Sequence, residues 1–473
     1  MRSVSILNDV LGPVMRGPSS SHTAGSYHIG RLIRSLAGEE PAAAVFTFDP
    51  AGSYAATYRQ QGVDLALAAG LLGWAITDER FARALELAPQ WGLDIRFRVA
   101  PLEAADHPNT VHGKVRTGKG SRFEVAAKSV GGGSVEITAV DGRPVSLDGR
   151  NPEILDVGGA TRTVPPLFYI RKGLPLIASA REAVATARRR RVSLGRVALA
   201  HEAGLLGLSE RDVVDEILGR LTIMRDSVRQ GLAGRGLGMK LLRPSAGKIF
   251  RAEADGRLAA GGLHARAAAR AMAALHVSNS MGIVCAAPTG GSAGVLPGVM
   301  VTLEEEKGLA GEKAALALLA AGAVGLVVAA RATFAAEVAG CQVEIGAAGA
   351  MGAAAVVDAA GGSAAQALDA AAISLQNTMG SVCDLVQGMC EIPCHTRNAV
   401  AASSAFVCAD LVLGGYVNPV PLDETVDASF AAGRMLPAEL RCTAKGGLAT
   451  TPSALALNSA SGRGSGSRGP RMT

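Results

Sequence analysis

Apolar and polar positions change their spacing about a third of the way along the chain. In the first part, AAAVFTFDPAGS (Ala42 to Ser53) and DIRFRVA (Asp94 to Ala100) read as strands, enriched in β-formers and stopped by turn residues. Between and around them, GSYHIGRLIRSLAG (25–38) and ERFARALELAPQWG (79–92) carry helical spacing. SVGGGSVEITAVDG, Ser129 to Gly142, predicts a glycine-marked turn followed by an alternating strand. Prolines in GRNPEIL and TRTVPPLFYIRKGLP then break regular structure, which puts a domain boundary between about 150 and 180. From REAVATARRRR onward strand signals become rare. SERDVVDEILGRLTIMRDSVRQGL is typical: Ser209 can cap a helix whose Val213, Val214, Ile217, Leu221 and Met224 share one apolar face. The expected architecture is multidomain: an N-terminal α+β domain over 1–165, a mostly all-α domain over 180–455, and a Gly/Ser/Arg-rich disordered tail over 456–473.

Composition agrees with this division. The chain has 473 residues, more than one ordinary core holds, and 48% hydrophobic content with only 4% aromatics means an interior of Ala, Val, Leu and Gly, suited to closely approaching helices. A net charge of +6 points to nucleic acid only where basic residues cluster. The one dense run, Arg188 to Arg191, lacks interleaved aromatics and reads as a solvated linker or helix end, so no nucleic-acid partner is expected. Ala314 to Ala330 is uncharged and grazes the lower limit for a membrane span. Rich in Ala and Gly and without an aromatic belt, it predicts a buried core helix and no membrane association.

Candidate chemistry concentrates in a few places. The seven cysteines, at 285, 341, 383, 390, 394, 408 and 442, all lie in the C-terminal part, and the N-terminus shows no signal-peptide pattern, which predicts a reducing cytoplasm where cysteines remain thiols, metal ligands or nucleophiles. Cys341 (GCQVEIG), Cys383 (VCDLVQGMC) and Cys394 (CEIPCHTRNA) stand out by their polar neighbours Glu344, Asp384, His395, Arg397 and Asn398, although their spacing matches no standard metal motif. On spacing alone they remain open to reading as buried thiols; Cys285, Cys390 and Cys408 are expected to be packing. RGPSSSHTAGSYHIG, Arg16 to Gly30, runs Ser19, Ser20, Ser21, His22 and Thr23 into a helix start, a setting for binding carboxylate or phosphate or for simple capping. AAPTGGSAGVLPG, Ala286 to Gly298, could cradle an anion through Thr289 and its glycines, but lacks the Lys of a P-loop and the frame of a dinucleotide site.

Taken together, GPSSSHT (17–23), GS (52–53), HPNT (107–110), SVGGG (129–133), AAPTGGSAGVLPG (286–298), GCQVEIG (340–346), VCDLVQGMCEIPCHTRNA (382–399) and GGLATTP (446–452) resemble the iron-sulfur-dependent L-serine dehydratases, or L-serine ammonia-lyases, in a single-chain form with fused beta-type and alpha-type domains. The resemblance implies a [4Fe-4S] cluster held by Cys341, Cys383 and Cys394 with one iron open to polarise the substrate's β-hydroxyl, and no pyridoxal phosphate. It implies a small amino-acid substrate contacted by Ser19, Ser20, Ser21, Thr23, Ser53, Thr289 and Asn398.

This sequence departs from the family pattern in three places. A histidine of the family's G-H-G-T-D element is Gln61 here, in QQGVD, and glutamine cannot act as a general base, so His22 becomes the candidate base. The cysteine that some members carry near the C-terminus is missing, leaving Cys442 as the nearest remaining thiol. Glu337 stands four positions before Cys341 where the family's acidic residue stands three before, so no role is expected of it. Three other readings follow: the same elimination on threonine or another β-hydroxy amino acid, a clusterless amino-acid-sensing regulator, or a structural zinc site at the same cysteines with His395. The sequence leaves the oligomeric state open, with a homo-oligomer as one alternative.

Overall fold

The computed structural model describes residues 4–103 and 105–457; the expected disordered tail, from residue 458 on, lies outside the described residues. The chain starts in the helical part of the molecule. Val4, Ile6, Leu7, Val10 and Leu11 join the large helical core. The short helix Ile6–Asp9 is capped by Ser5, and the carboxylate of Glu202, from the helix Leu194–Leu206, accepts hydrogen bonds from Ser5 Oγ (2.6 Å), Ile6 N (2.7 Å) and Leu7 N (2.9 Å). Next comes β1 (Val14–Arg16).

The α+β part is a six-stranded sheet of β2 (Pro41–Phe48), β3 (Asp94–Val99), β4 (Thr110–Thr117), β5 (Arg122–Gly131), β6 (Ser134–Val140) and β7 (Arg143–Leu147), in the order β3-β2-β4-β5-β6-β7. Only the β2–β3 pairing in this sheet is parallel, and the two runs expected to be strands supply β2 and β3, although the first stops at Phe48 and its last residues, Asp49 to Ser53, turn into the helix Ser53–Thr57. Alternation puts Phe46, Phe48, Val111, Val115, Phe123, Val125 and Ile137 on one face, against Ile29, Leu32, Ile33 and Leu36 of the helix Gly25–Ala37 and Val63, Leu67 and Leu71 of the helix Val63–Leu72. These two helices meet at Gly30 and Gly70. A Cβ on Gly30 would stand 2.8 Å from Leu67 O, and one on Gly70 2.5 Å from Tyr27 O, so glycine is required at both. The hairpin β8 (Glu153–Val157) and β9 (Ala160–Val164) completes this part.

From Ala180 the chain is almost entirely helical. The helix Glu210–Ala233 begins at the expected Ser209 cap, closed by a reciprocal hydrogen bond with Asp212, and buries Val213, Ile217, Leu221 and Met224. Arg188–Arg191 form the exposed end of the helix Ala180–Arg190. Among the described residues one helix, Gly311–Arg331, is long and apolar enough to cross a membrane; 78% of its most apolar window is buried inside the protein, where it packs against the helices Leu194–Leu206 and Ile345–Ala359. It is a core helix, as its Ala/Gly composition predicts.

Two features join the parts. β1 pairs antiparallel with β10 (Ile283–Cys285), Val14 opposite Cys285. A separate apolar cluster mixes Met15, Ala24, Tyr27, Ala66 and Trp74 with Val277, Val284, Ala286 and Ala293. β11 (Cys383–Asp384) and β12 (Arg441–Thr443) form a small parallel ladder near this seam. Gly30→Ala is expected to cost about 1–3 kcal/mol of stability, the range for overpacking, read by chemical denaturation; an unchanged midpoint would show that the two helices can separate freely.

Candidate active site

The serine-rich stretch folds as a single π-helical turn, Ser20–Ala24, leading directly into Gly25–Ala37. Such turns recur at functional sites, and all five residues of this one are buried. Ser19, in extended conformation, accepts from His22 N at 3.2 Å. Gly290 of the 286–298 loop backs onto the turn so closely that a Cβ there would lie 2.8 Å from Ser20 N.

His22 is fully buried and held on both ring nitrogens. Nδ1 lies 3.0 Å from Ser21 Oγ and 3.2 Å from Ser19 Oγ, while Nε2 lies 3.0 Å from Ser53 Oγ. Ser21 Oγ donates to Glu337 Oε1 at 2.7 Å, so its own acceptor site is free for a proton on His22 Nδ1. This network assigns the proton to Nδ1 and leaves the Nε2 lone pair facing half-buried Ser53. Tyr54 packs edge-on to the imidazole at 5.2 Å and donates to Ser21 O at 3.1 Å.

Glu337, to which the sequence assigns no role, is the centre of this network. Only 6% exposed, it receives Ser21 Oγ and Asn109 Nδ2 (3.2 Å) and stands 3.6 Å from His22 Nδ1. Burial holds His22 well below the usual imidazole range against the pull of Glu337. Burial works in the other direction on Glu337, but the charge of His22 whenever that ring is protonated, with the hydrogen bonds from Ser21 and Asn109, brings it below the usual carboxylate range. A neutral imidazole beside a carboxylate is the result. The signal in the sequence was an acid standing in an otherwise apolar, Ala-rich stretch; Asn109, in HPNT, carried no comparable sign.

The thiols come from separate segments. Cys341 opens a short turn after Gly340, Cys383 lies in β11, and Cys394 starts the helix Cys394–Leu413. Sγ of Cys341, Sγ of Cys383 and a Glu344 carboxylate oxygen all lie within 4.8 Å of one another. Cys394 sits within electrostatic reach of Cys341 and Arg397. Arg397 gathers the group: its guanidinium donates to Cys341 Sγ (3.8 Å) and Val382 O (2.7 Å) and pairs with Asp384 at 3.0 Å. Asp384 in turn accepts from Leu448 N at 2.8 Å, which ties in the GGLATTP segment. Cys442 is in hydrogen-bond contact with Cys383 through the β11–β12 ladder, and Cys390, expected to be packing, lies beside Cys394.

Contact with Cys383 and burial push the Cys341 thiol well up, and burial and Cys341 do the same to Cys394. Burial, with the Glu337 charge behind it, pushes the Glu344 carboxyl up to about 8. Several buried sulfur donors beside an arginine suit a soft metal group, whose binding would expel the thiol protons. The group could therefore hold a metal. His395 is not among its donors. One position on from Cys394, it points away, its Nε2 accepting from Asn279 Nδ2 at 3.3 Å and its ring against His276 at 4.8 Å, which removes the zinc set that included it.

Other expected contact residues have local tasks. Asn398 uses its amide on Gly294 N (3.2 Å), Gly291 O (2.9 Å) and Cys394 O (2.9 Å), and so holds the glycine loop against the cysteine helix. Thr289 and Ser292 exchange hydroxyl and backbone hydrogen bonds across that loop, and Thr289 also reaches Glu344. Thr23 Oγ1 donates to Gln61 O at 2.8 Å. Ser20 is buried in the turn.

Residues 168–449 match the family model described as serine dehydratase alpha chain. The chain is similar to a "Probable L-serine dehydratase, alpha chain" of Bacillus subtilis, 37% identical over 272 residues, 58% of this chain and 91% of that protein. It is also similar to the "Probable L-serine dehydratase, beta chain" of the same organism, 45% identical over 149 residues, 32% of this chain and 66% of that one. The "L-serine dehydratase" of Mycobacterium tuberculosis is 29% identical over 462 residues, 92% of this chain and 95% of the relative.

Removing the charge of Glu337 tests the network. In Glu337→Gln the protonated imidazole loses its anionic neighbour, so the His22 pKa is expected to fall further below its ordinary value, read by NMR titration of the ring. A rise would show that the carboxylate does not face His22.

Proposed function

Because the chain belongs to the serine dehydratase alpha chain family, we propose that it is an L-serine ammonia-lyase, converting L-serine to pyruvate and ammonia at the seam between its two parts. The observation that carries this reading is the convergence at that seam of a neutral histidine with an assigned lone pair and a set of buried thiols. Cys341, Cys383 and Cys394 would hold a [4Fe-4S] cluster, which supplies Lewis acidity toward the β-hydroxyl of the substrate.

The chain's own residues do the rest. His22 Nε2, uncharged at neutral pH, takes the α-proton; Nδ1 keeps its proton, held by Ser21, and Glu337 stabilises the imidazolium that forms. The hydroxyls of Ser19 and Ser20 with Ser53 receive the substrate carboxylate at the positive end of the turn, while Ser21 stays committed to Glu337 and His22, and Thr23, Thr289 and Asn398 fix the surrounding backbone. Burial of the site excludes bulk water until the β-hydroxyl has left. The aminoacrylate released then tautomerises and hydrolyses to pyruvate and ammonia. The reaction belongs in the cytoplasm, where thiols stay reduced.

Anaerobically reconstituted protein is expected to form pyruvate from L-serine; formation from threonine alone would move the substrate, and none from any β-hydroxy amino acid would overturn the reading. Cys341→Ser should lose iron and labile sulfide, and a full complement in that variant would remove Cys341 from the ligand set. His22→Gln should keep its iron and lose about 10²- to 10⁴-fold in kcat. Since burial holds the imidazole below about 6.5, the neutral form persists under that pH, and the acid limb of kcat/KM should lie below it.

A further inference from the structure

Gln61 is completely buried, yet its side-chain oxygen has no hydrogen-bond partner. The rest of the residue is spoken for. Its backbone N–H donates to Thr57 O (2.9 Å), its backbone oxygen accepts from Thr23 Oγ1 (2.8 Å), and its side-chain Nε2 donates to Gly388 O (3.4 Å). These contacts say where it lies. Thr23 follows His22 in the π-turn, and Gly388 belongs to the loop that runs from Cys383 to Cys394, so Gln61 joins the turn that carries the histidine, through its backbone carbonyl, to the loop between two of the thiols, through its carboxamide. The donor contact to Gly388 O also orients the amide: Nε2 is committed to a carbonyl, so Oε1 is the free end.

A buried acceptor without a donor is costly, and structures keep one mainly where something else supplies the donor. The donor must come from outside the described contacts. Among the groups an α-amino acid brings, the carboxylate has no proton to give, whereas the ammonium has several and is a cation. A cation is favoured here because the turn that Gln61 touches through Thr23 also carries Ser21, which is hydrogen-bonded to the buried carboxylate of Glu337, and Ser19 and Ser20 at the start of that turn offer donors suited to the opposite end of the substrate.

We propose that Gln61 Oε1 accepts a hydrogen bond from the α-ammonium of the substrate, making Gln61 the residue by which this chain selects amino acids over the corresponding hydroxy acids. The assignment rests on the amino-acid-lyase reading above, but concerns recognition and not the chemical step. An amide oxygen stays an acceptor at every working pH, so the contact contributes binding without taking a proton from the ammonium.

The test compares L-serine with 3-hydroxypropionate, which is serine without its ammonium, on the reconstituted holoenzyme. Gln61→Leu and Gln61→Glu both lose the donor to Gly388, but only Leu loses the acceptor. Gln61→Leu is expected to raise KM for L-serine about tenfold to a hundredfold, the loss expected for one hydrogen bond to a charged group. Its kcat should stay within a few-fold, and its inhibition constant for 3-hydroxypropionate should not move. Gln61→Glu should restore a KM near that of the wild type. Equal weakening of both ligands in Gln61→Leu, or a fall in kcat at constant KM, overturns the proposal. Should the wild type bind L-serine by calorimetry without turning it over, the proposed activity fails and the same affinity ratio still decides the role of Gln61. Should it bind no L-serine, both fail.

Discussion

A carboxylate shut away from water has to be given hydrogen bonds, and Glu337 takes its side-chain bonds from the other part of the chain: Ser21 from the π-turn and Asn109 from the loop before β4. That constraint organises the site. Docking the α+β part onto the helical part is what satisfies Glu337, and satisfying Glu337 is what places Ser21 to hold the Nδ1 proton of His22. Neither part has the histidine–carboxylate pair by itself. The imidazole and its orienting hydroxyl come from one side, and the carboxylate that backs them comes from the other, four residues before the first thiol of the metal-binding candidates.

The same seam governs charge. Buried thiols, Glu337 and Glu344 would place several acids together if all were ionised, and burial answers by keeping the thiols and Glu344 protonated. Arg397 is the counterweight. It reaches Cys341 Sγ, the Val382 carbonyl and Asp384 at once, so the positive charge sits where sulfur would become anionic on metal binding. Asp384 keeps that arginine in place and is itself held by the backbone at Leu448, which explains why a segment so far along the chain belongs to the site.

Much of this was legible in the sequence because it depended on local pattern. The strands at Pro41–Phe48 and Asp94–Val99, the Ser209 cap and the buried apolar helix are consequences of period and capping, and each forms where its residues indicate. Cys341 and Cys383 stood out through their polar neighbours and do come together. What could not be read was pairing across the seam. Glu337 looked misplaced when its spacing from Cys341 was set against the family pattern, but its place is fixed by Ser21 and Asn109, which reach it across the seam; the helix Ala336–Ala339 that carries it ends at Gly340 with φ +74 before a separate turn begins at Cys341. His395 failed as a ligand for a related reason: the residue after Cys394 on an ordinary α-helix points about 100° away, toward His276. Asn398 looked like a substrate contact from its company, but two of its three side-chain hydrogen bonds go to a loop more than a hundred residues earlier and the third to Cys394 O.

The first described residues show how the chain secures the seam between its two parts. By position Val4 to Arg16 precede the α+β part, yet they are built into the helical one: Val4 to Leu11 lie in its core, Glu202 collects the start of the first helix, and β1 pairs with β10. The chain then passes within a few residues to Ser19 and the π-turn. Residues Ser19 to His22 are therefore anchored upstream by the helical core and downstream by the helix Gly25–Ala37, which is packed on the sheet. A turn clamped between two cores has little freedom to move its histidine. A base that must meet a particular proton benefits from that restriction, because orientation lost to chain motion would have to be recovered at every turnover. Covalent continuity alone would not supply it. The strand pairing and the buried Glu202 contacts do, by making the start of the chain part of the surface onto which the rest of its own domain docks.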